Sequence, residues 1–303
     1  MQHFLKYIFI LIFSWTITSC GDSGKTKPGP VNNRAADSIA ASDSSEERDS
    51  SDNNVFPQVE YEKVFVKDAD MRDSLHNAFA KTDSTYAGYR AVTCLNRKNI
   101  YHIQPGDSIL IPEKLTADLI LYSVFPKYYP QADTLEQIII VSNAFQAVAA
   151  YEFGLQVRFM PTNTGRGTDP LDPGFYTLNW KDRDHRSSID QSWKMPYTFN
   201  FDNSTGYAFH KYVLPGYPAS HGCARLMIED AKWLYEWGNG SKRDSLGNEI
   251  PRTGTPVLII DKYDYEKWGK KGPWLYLESN RDTILPLPEE PMNFKYDKNS
   301  TPA

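Results

Sequence analysis

Three side chains lie close together in the stretch GYAFHKYVLPGYPASHGCARLMIEDA: His210, His221 and Cys223. A cysteine and a histidine are the minimal pair for nucleophilic acyl transfer, because an imidazole can take the thiol proton and free a thiolate. Gly222, directly before the sulfur, permits a tight turn that exposes it and lets backbone N–H groups point one way, towards a developing oxyanion. A helix expected a few residues later, and the neighbouring imidazole, would both lower the thiol pKa. His210 closes an expected strand, GYAFH, and the loop through Leu214 to Pro218 would bring the chain back to face the sulfur. On spacing alone two other readings stay open. Cys223 could be a small buried apolar residue with both histidines structural. A zinc site from His210, His221 and Cys223 would have an uncommon ligand spacing, and neither CxxC nor HExxH occurs in the chain.

The elements that would position these residues read mainly as strands. Ile138–Val141 is a β-branched run, Ala147–Phe153 and Leu155–Met160 flank Gly154 as in a hairpin, and Gly174–Leu178 follows the turn-rich TGRGTDPLDPG. Pro256–Asp261 is a further buried strand. Short strands punctuated by Gly and Pro predict a β-sandwich or barrel. One principal helix is expected after the cysteine, over Met227–Trp237, where Ile228, Ala231, Leu234 and Tyr235 share a face and Glu229 and Asp230 suit the first turn. Upstream, 56–117 reads as a small α+β module. Leu75, Ala78 and Phe79 give Asp73–Ala80 helical spacing, Ala91–Leu95 continues a second helix, and Ile109–Ile111 is a strand stopped by Pro112. Residues 263–303 turn aromatic and then Pro-rich, as in a tail that wraps the body and frays.

Composition sets the outer bounds. The 303 residues carry 33 Lys+Arg against 38 Asp+Glu, and a net charge of −5 argues against broad binding to nucleic acid. With 40% hydrophobic and 14% aromatic residues the chain is not disordered throughout, and 3 Cys cannot staple a mini-domain. Residues 1–20 carry Lys6 and then an apolar run from Tyr7 too short to span a bilayer, which needs about 20 residues. This run ends in Ile17-Thr-Ser-Cys-Gly21, which resembles a bacterial lipoprotein signal and implies lipidation at Cys20 and a place in the envelope, facing the periplasm or wall. Residues 21–55, rich in Gly, Ser, Asp, Asn and Pro, read as a disordered tether with an r.m.s. reach of about 30 Å.

The cysteine segment also carries a family likeness. SHGCARL, with its upstream His and LPGYPA, resembles the signature of the L,D-transpeptidases, cysteine enzymes that act on peptidoglycan stem peptides. VSNAFQAVAAYEFGLQVRFMPTNTGRG, DPGFYTL and WKMPYTFNF extend the resemblance over about 118–262, and YHIQPGDSILIP resembles the second half of a LysM module. The transpeptidase resemblance implies Cys223 as nucleophile, His210 as its base, and an oxyanion hole from the N–H groups of Gly222 and Cys223 with His221. Ser220 and His221 would shape the loop, and Arg225 would bind a substrate carboxylate through its guanidinium fork. The implied reaction needs no metal or organic cofactor. It passes through a Cys thioester to a 3→3 cross-link between a donor tetrapeptide and an acceptor amine. A carboxypeptidase or amidase of the same fold, using water, and a non-catalytic wall-binding lipoprotein are the alternatives. The sequence departs from the family at Lys211 and Ala224 and in a short loop to the nucleophile. His185 is expected on a surface loop, and Cys94 as a buried free thiol rather than a disulfide partner of Cys223.

Overall fold

The computed structural model describes residues 54–80 and 85–297; residues 1–20, Cys20 and all but the last two residues of the expected tether lie outside the described residues. Among the described residues no helix is long and apolar enough to cross a membrane.

Two sheets form the body. The larger contains β3 (Ile138–Ser142), β4 (Ala147–Glu152), β5 (Leu155–Pro161), β6 (Gly174–Thr177) and β11 (Pro256–Ile259), in the order β5-β4-β3-β11-β6. The smaller contains β7 (Lys181–Asp182), β8 (Thr198–Asp202), β9 (Tyr207–Lys211) and β10 (Ala224–Leu226), in the order β10-β9-β8-β7. Their facing sides share one apolar cluster: Ile139, Val141, Val148 and Val257 from the larger sheet meet Phe199, Phe209, Ala224 and Leu226 from the smaller. Helix α3 (Ile228–Trp237) closes this layer with Ala231 and Leu234. The expected mainly β sandwich with one principal helix after Cys223 is the architecture found.

The alternation of β3 explains its unbroken run of β-branched residues. Ile139 and Val141 face the smaller sheet, whereas Ile138 and Ile140 enter a second cluster on the opposite side. A strand buried on both faces needs no polar alternate positions. That second cluster is completed by Ala91, Cys94 and Leu95 from the upstream module and by Trp274 and Leu285 from the tail.

The upstream module is a βααβ unit: β1 (Tyr61–Phe65), α1 (Ala69–Ala78), α2 (Ala87–Asn96) and β2 (Ser108–Pro112), with β1 and β2 antiparallel. Strand β1 is not foreshadowed in the sequence, because YEKVF sets two adjacent charged residues before two adjacent apolar ones and shows no alternation. Helix α1 starts four residues earlier than expected, where the Asp68 side chain accepts from the Met71 N–H and caps it. Helix α2 buries two faces, Tyr89 and Val92 inside the unit and Ala91, Cys94 and Leu95 against the larger sheet. Cys94 is fully buried, its thiol pushed up to about 12 by that burial, and it and Cys223 are both free. The buried free thiol, not the disulfide, is what the fold contains.

Candidate active site

Strand pairing places the reactive residues. Strands β9 and β10 run parallel, with Phe209 opposite Ala224, His210 opposite Arg225 and Lys211 opposite Leu226. Alternation sends Phe209, Ala224 and Leu226 into the core between the sheets. Ala208, His210, Cys223 and Arg225 therefore share the other face, where they line a cavity of about 410 Å³. His210 and Cys223, thirteen positions apart in the chain, line one cavity because the two strands are neighbours.

The loop entering β10 is built tightly. Ser220 is buried; its Oγ donates to the Cys223 carbonyl at 2.6 Å and accepts the Gly222 N–H at 3.1 Å. Gly222 has φ +102, and a Cβ there would fall 2.2 Å from the Tyr207 ring, so no other residue fits. The segment after β5 straps this loop from outside: Ala219 and Ser220 both donate to the Thr164 carbonyl, and Asn163 pairs with Arg225. Gly165 allows the close approach, since a Cβ would meet the Asp169 carbonyl at 2.1 Å.

Two expectations about the sulfur are corrected. Gly222 was expected to offer its N–H to an oxyanion, but that N–H is held by Ser220; the His221 and Cys223 N–H groups have no protein acceptor among the described residues. The expected helix does begin a few residues after Cys223, at Ile228 with β10 between, but the expected lowering of the thiol does not follow. The thiol pKa is instead raised, chiefly by burial, with the Ala208 N–H and the Arg225 charge pulling it back.

His210 is buried, and its Nδ1 lies 3.1 Å from the Lys211 carbonyl. A carbonyl only accepts, so Nδ1 carries the proton and Nε2 is left with a free lone pair. Burial lowers the imidazole pKa to about 4, helped by the nearby Arg225 charge against the pull of the Lys211 carbonyl. The ring is a neutral base at neutral pH. Arg225 donates to the Ala219 carbonyl at 3.0 Å and lies over the Tyr212 ring at 4.6 Å; it has no carboxylate partner among the described residues, so its fork opens on the cavity without one.

His221 lines the same cavity as Cys223. Arg166 donates to its Nε2 at 2.8 Å, which puts the ring proton on Nδ1, and the ring packs at 5.1 Å from Trp193. Trp193 and Met195 belong to the segment between β7 and β8, which forms one wall of the cavity. The same wall holds His185, half-buried in the exposed turn after β7, where a surface loop was expected; its Nδ1 lies 3.2 Å from Asp182 Oδ2. The spacing D-x-x-H beside Trp180 was the available signal. Among the described residues no group of three or more His, Cys, Asp or Glu is placed to hold a metal.

Residues 136–259 match the YkuD family, described as the L,D-transpeptidase catalytic domain. No curated protein matches the chain. Solved structures similar to it include an L,D-transpeptidase (Yku) from Stackebrandtia nassauensis, at 23% identity and a TM-score of 0.34, covering 42% of this chain and 57% of that one. Residues 123–326 of an L,D-transpeptidase from Xylanimonas cellulosilytica DSM 15894 are 21% identical, with a TM-score of 0.40, covering 66% of this chain and 98% of that one. An L,D-transpeptidase from Mycobacterium tuberculosis H37Rv is 18% identical with a TM-score of 0.34 and covers 52% and 74%. The chain thus spans less than two thirds of the Stackebrandtia protein. The family match carries the resemblance, and it holds over the residues that contain His210, Cys223 and Arg225.

Proposed function

We propose, taking residues 136–259 as an L,D-transpeptidase catalytic domain, that this protein joins peptidoglycan stem peptides by acyl transfer through Cys223. The observation that carries the reading is the parallel pairing of β9 with β10, which sets His210, Cys223 and Arg225 on one cavity wall. His210 Nε2 takes the thiol proton as the sulfur attacks the carbonyl of the third stem residue. The His221 and Cys223 N–H groups are the donors available for the oxyanion; one such donor is worth about 3 kcal/mol. The imidazolium returns its proton to the departing D-amino acid as the C–N bond breaks, leaving a thioester. Arg225, without a protein carboxylate, is free to hold a substrate carboxylate. An amine of a neighbouring stem then takes the acyl group, giving a 3→3 cross-link.

The envelope setting belongs to the same proposal. The sequence of residues 1–54 supports a lipid anchor at Cys20 and an outward-facing domain; protein isolated from bacterial cells is expected to begin at an acylated Cys20, and an unmodified Cys20 removes the anchor.

The test is incubation of the protein with purified disaccharide-tetrapeptide, beside Cys223→Ala, with products read by mass spectrometry. A Cys223-dependent dimer lacking one terminal D-Ala is expected. Tripeptide without dimer would make the protein a hydrolase that uses water, and the absence of any Cys223-dependent product would count against catalysis on this substrate.

A further inference from the structure

A second oriented imidazole faces the cavity that holds Cys223. His185 stands in the turn after β7, its Nδ1 at 3.2 Å from Asp182 Oδ2. A carboxylate only accepts, so Nδ1 carries the ring proton and Nε2 keeps its lone pair. The Trp180 ring packs on the imidazole at 5.3 Å, and Asp182 is fixed by the register of β7 with β8, Asp182 opposite Thr198. A proton arriving at His185 Nε2 would be balanced by the carboxylate at the other end of the ring.

His210 is built differently. Its outer partner is a carbonyl, and burial keeps it a weak base with a pKa of about 4. It lines the same cavity as Cys223 and is placed to take the thiol proton and return it to a leaving amine. The step that precedes acyl transfer needs a proton taken elsewhere: an alkylamine, with a pKa of about 10.4 for a lysine-like group, arrives protonated and cannot attack until a proton is removed.

We propose that Asp182 and His185 form the acceptor side of this site, Asp182 drawing in the ammonium and His185 Nε2 taking one of its protons. This rests on the acyl-transfer reading above. The freed amine nitrogen then bonds to the thioester carbon. The extra proton on that nitrogen passes to His210, the C–S bond breaks, and His210 returns the proton to the Cys223 sulfur. His185 releases the proton it took to solvent at the cavity mouth. No bond is oxidised or reduced, and each proton has a stated donor and acceptor.

The experiment compares His185→Gln and Asp182→Asn with the unaltered protein, using disaccharide-tetrapeptide as donor and either Nα-acetyl-lysine or hydroxylamine as acceptor. Hydroxylamine is already unprotonated at neutral pH and needs no base. Both variants should transfer to Nα-acetyl-lysine about 100-fold more slowly, the range of general-base contributions. Transfer to hydroxylamine, and release of the terminal D-amino acid without an acceptor, should change far less; that release also shows the variant to be folded. Equal losses with both nucleophiles, or no loss with Nα-acetyl-lysine, would reduce the pair to a brace of its turn and overturn the inference. If the unaltered protein releases the D-amino acid but transfers to neither amine, the acyl-transfer reading falls and takes this one with it.

Discussion

Cys223 and His210 share a cavity in a state where neither need be charged. Burial raises the thiol and lowers the imidazole to about 4, so the resting pair is thiol and neutral base rather than thiolate and imidazolium. The consequence is a shifted acid limb. Under the proposed acyl transfer, a base with a lowered pKa keeps its lone pair as the pH drops, and kcat/KM for release of the D-amino acid should hold from about pH 7 to about 5 before falling near 4. A pH profile with its acid limb at about 6.5, the ordinary histidine value, would mean that the imidazole is solvated and the cavity wetter than its lining suggests. Both groups were legible in the sequence because a strand-ending His and a glycine-led Cys have a local signature. His185 was not, since a D-x-x-H turn looks like surface until the pairing of β7 with β8 carries it to the cavity wall.

At the scale of elements, the turn between β3 and β4 is held by a residue from the far end of β11. Asp261 accepts from Ser142 Oγ at 2.6 Å and from the Ala144 N–H at 2.8 Å. Burial raises its carboxyl to about 6 in spite of those donors. A carboxyl whose folded pKa lies above its unfolded value contributes stability that is full below about 4 and lost as the pH rises through about 6. Asp261→Asn, which keeps the Ala144 bond, should flatten that loss, on the order of 1–3 kcal/mol between about pH 4 and 7. Denaturant unfolding at the two pH values measures it, and an unchanged pH dependence would assign the effect to other groups. Elements of this kind were legible where burial is two-sided, as in Ile138–Val141, and where period, an acidic first turn and a closing Gly agree, as in α3. The tie from Asp261 to Ser142 was not, because 119 positions separate them and nothing local marks it.

Across the whole molecule, the two larger sheets do not close their own core. One side of the larger sheet, with Ile138 and Ile140, is covered by α2 of the βααβ unit and by Trp274 and Leu285 of the tail. The guanidinium of buried Arg97 caps α2 at the Cys94 carbonyl and lies 5.7 Å from the Trp274 ring, so unit and tail also meet each other. Trp274→Ala should cost 3–5 kcal/mol by emptying that cluster, roughly the penalty for truncating a buried tryptophan. Thermal or denaturant unfolding reads it, and a loss under about 1 kcal/mol, as at a surface site, would make the tail a superficial wrap. Sequence composition separated a module, a body and a tail, because linkers and breaks in pattern are local. It did not foresee that the three share a core, since which faces meet depends on contacts far apart in the chain.

The described chain enters this body at Asn54, whose backbone and side chain bond to residues 127 and 128, and Lys127 in turn accepts from Gln156 on β5. Any pull exerted on the chain ahead of Asn54 is therefore delivered to the β5 edge of the larger sheet. Cys223 directly precedes β10, at the edge of the other sheet, and the load path bypasses it. A force on the leading segment would have to strip Asn54 from its three hydrogen bonds before it could distort the β9–β10 pair, so the protein can be tugged without its chemistry feeling the strain.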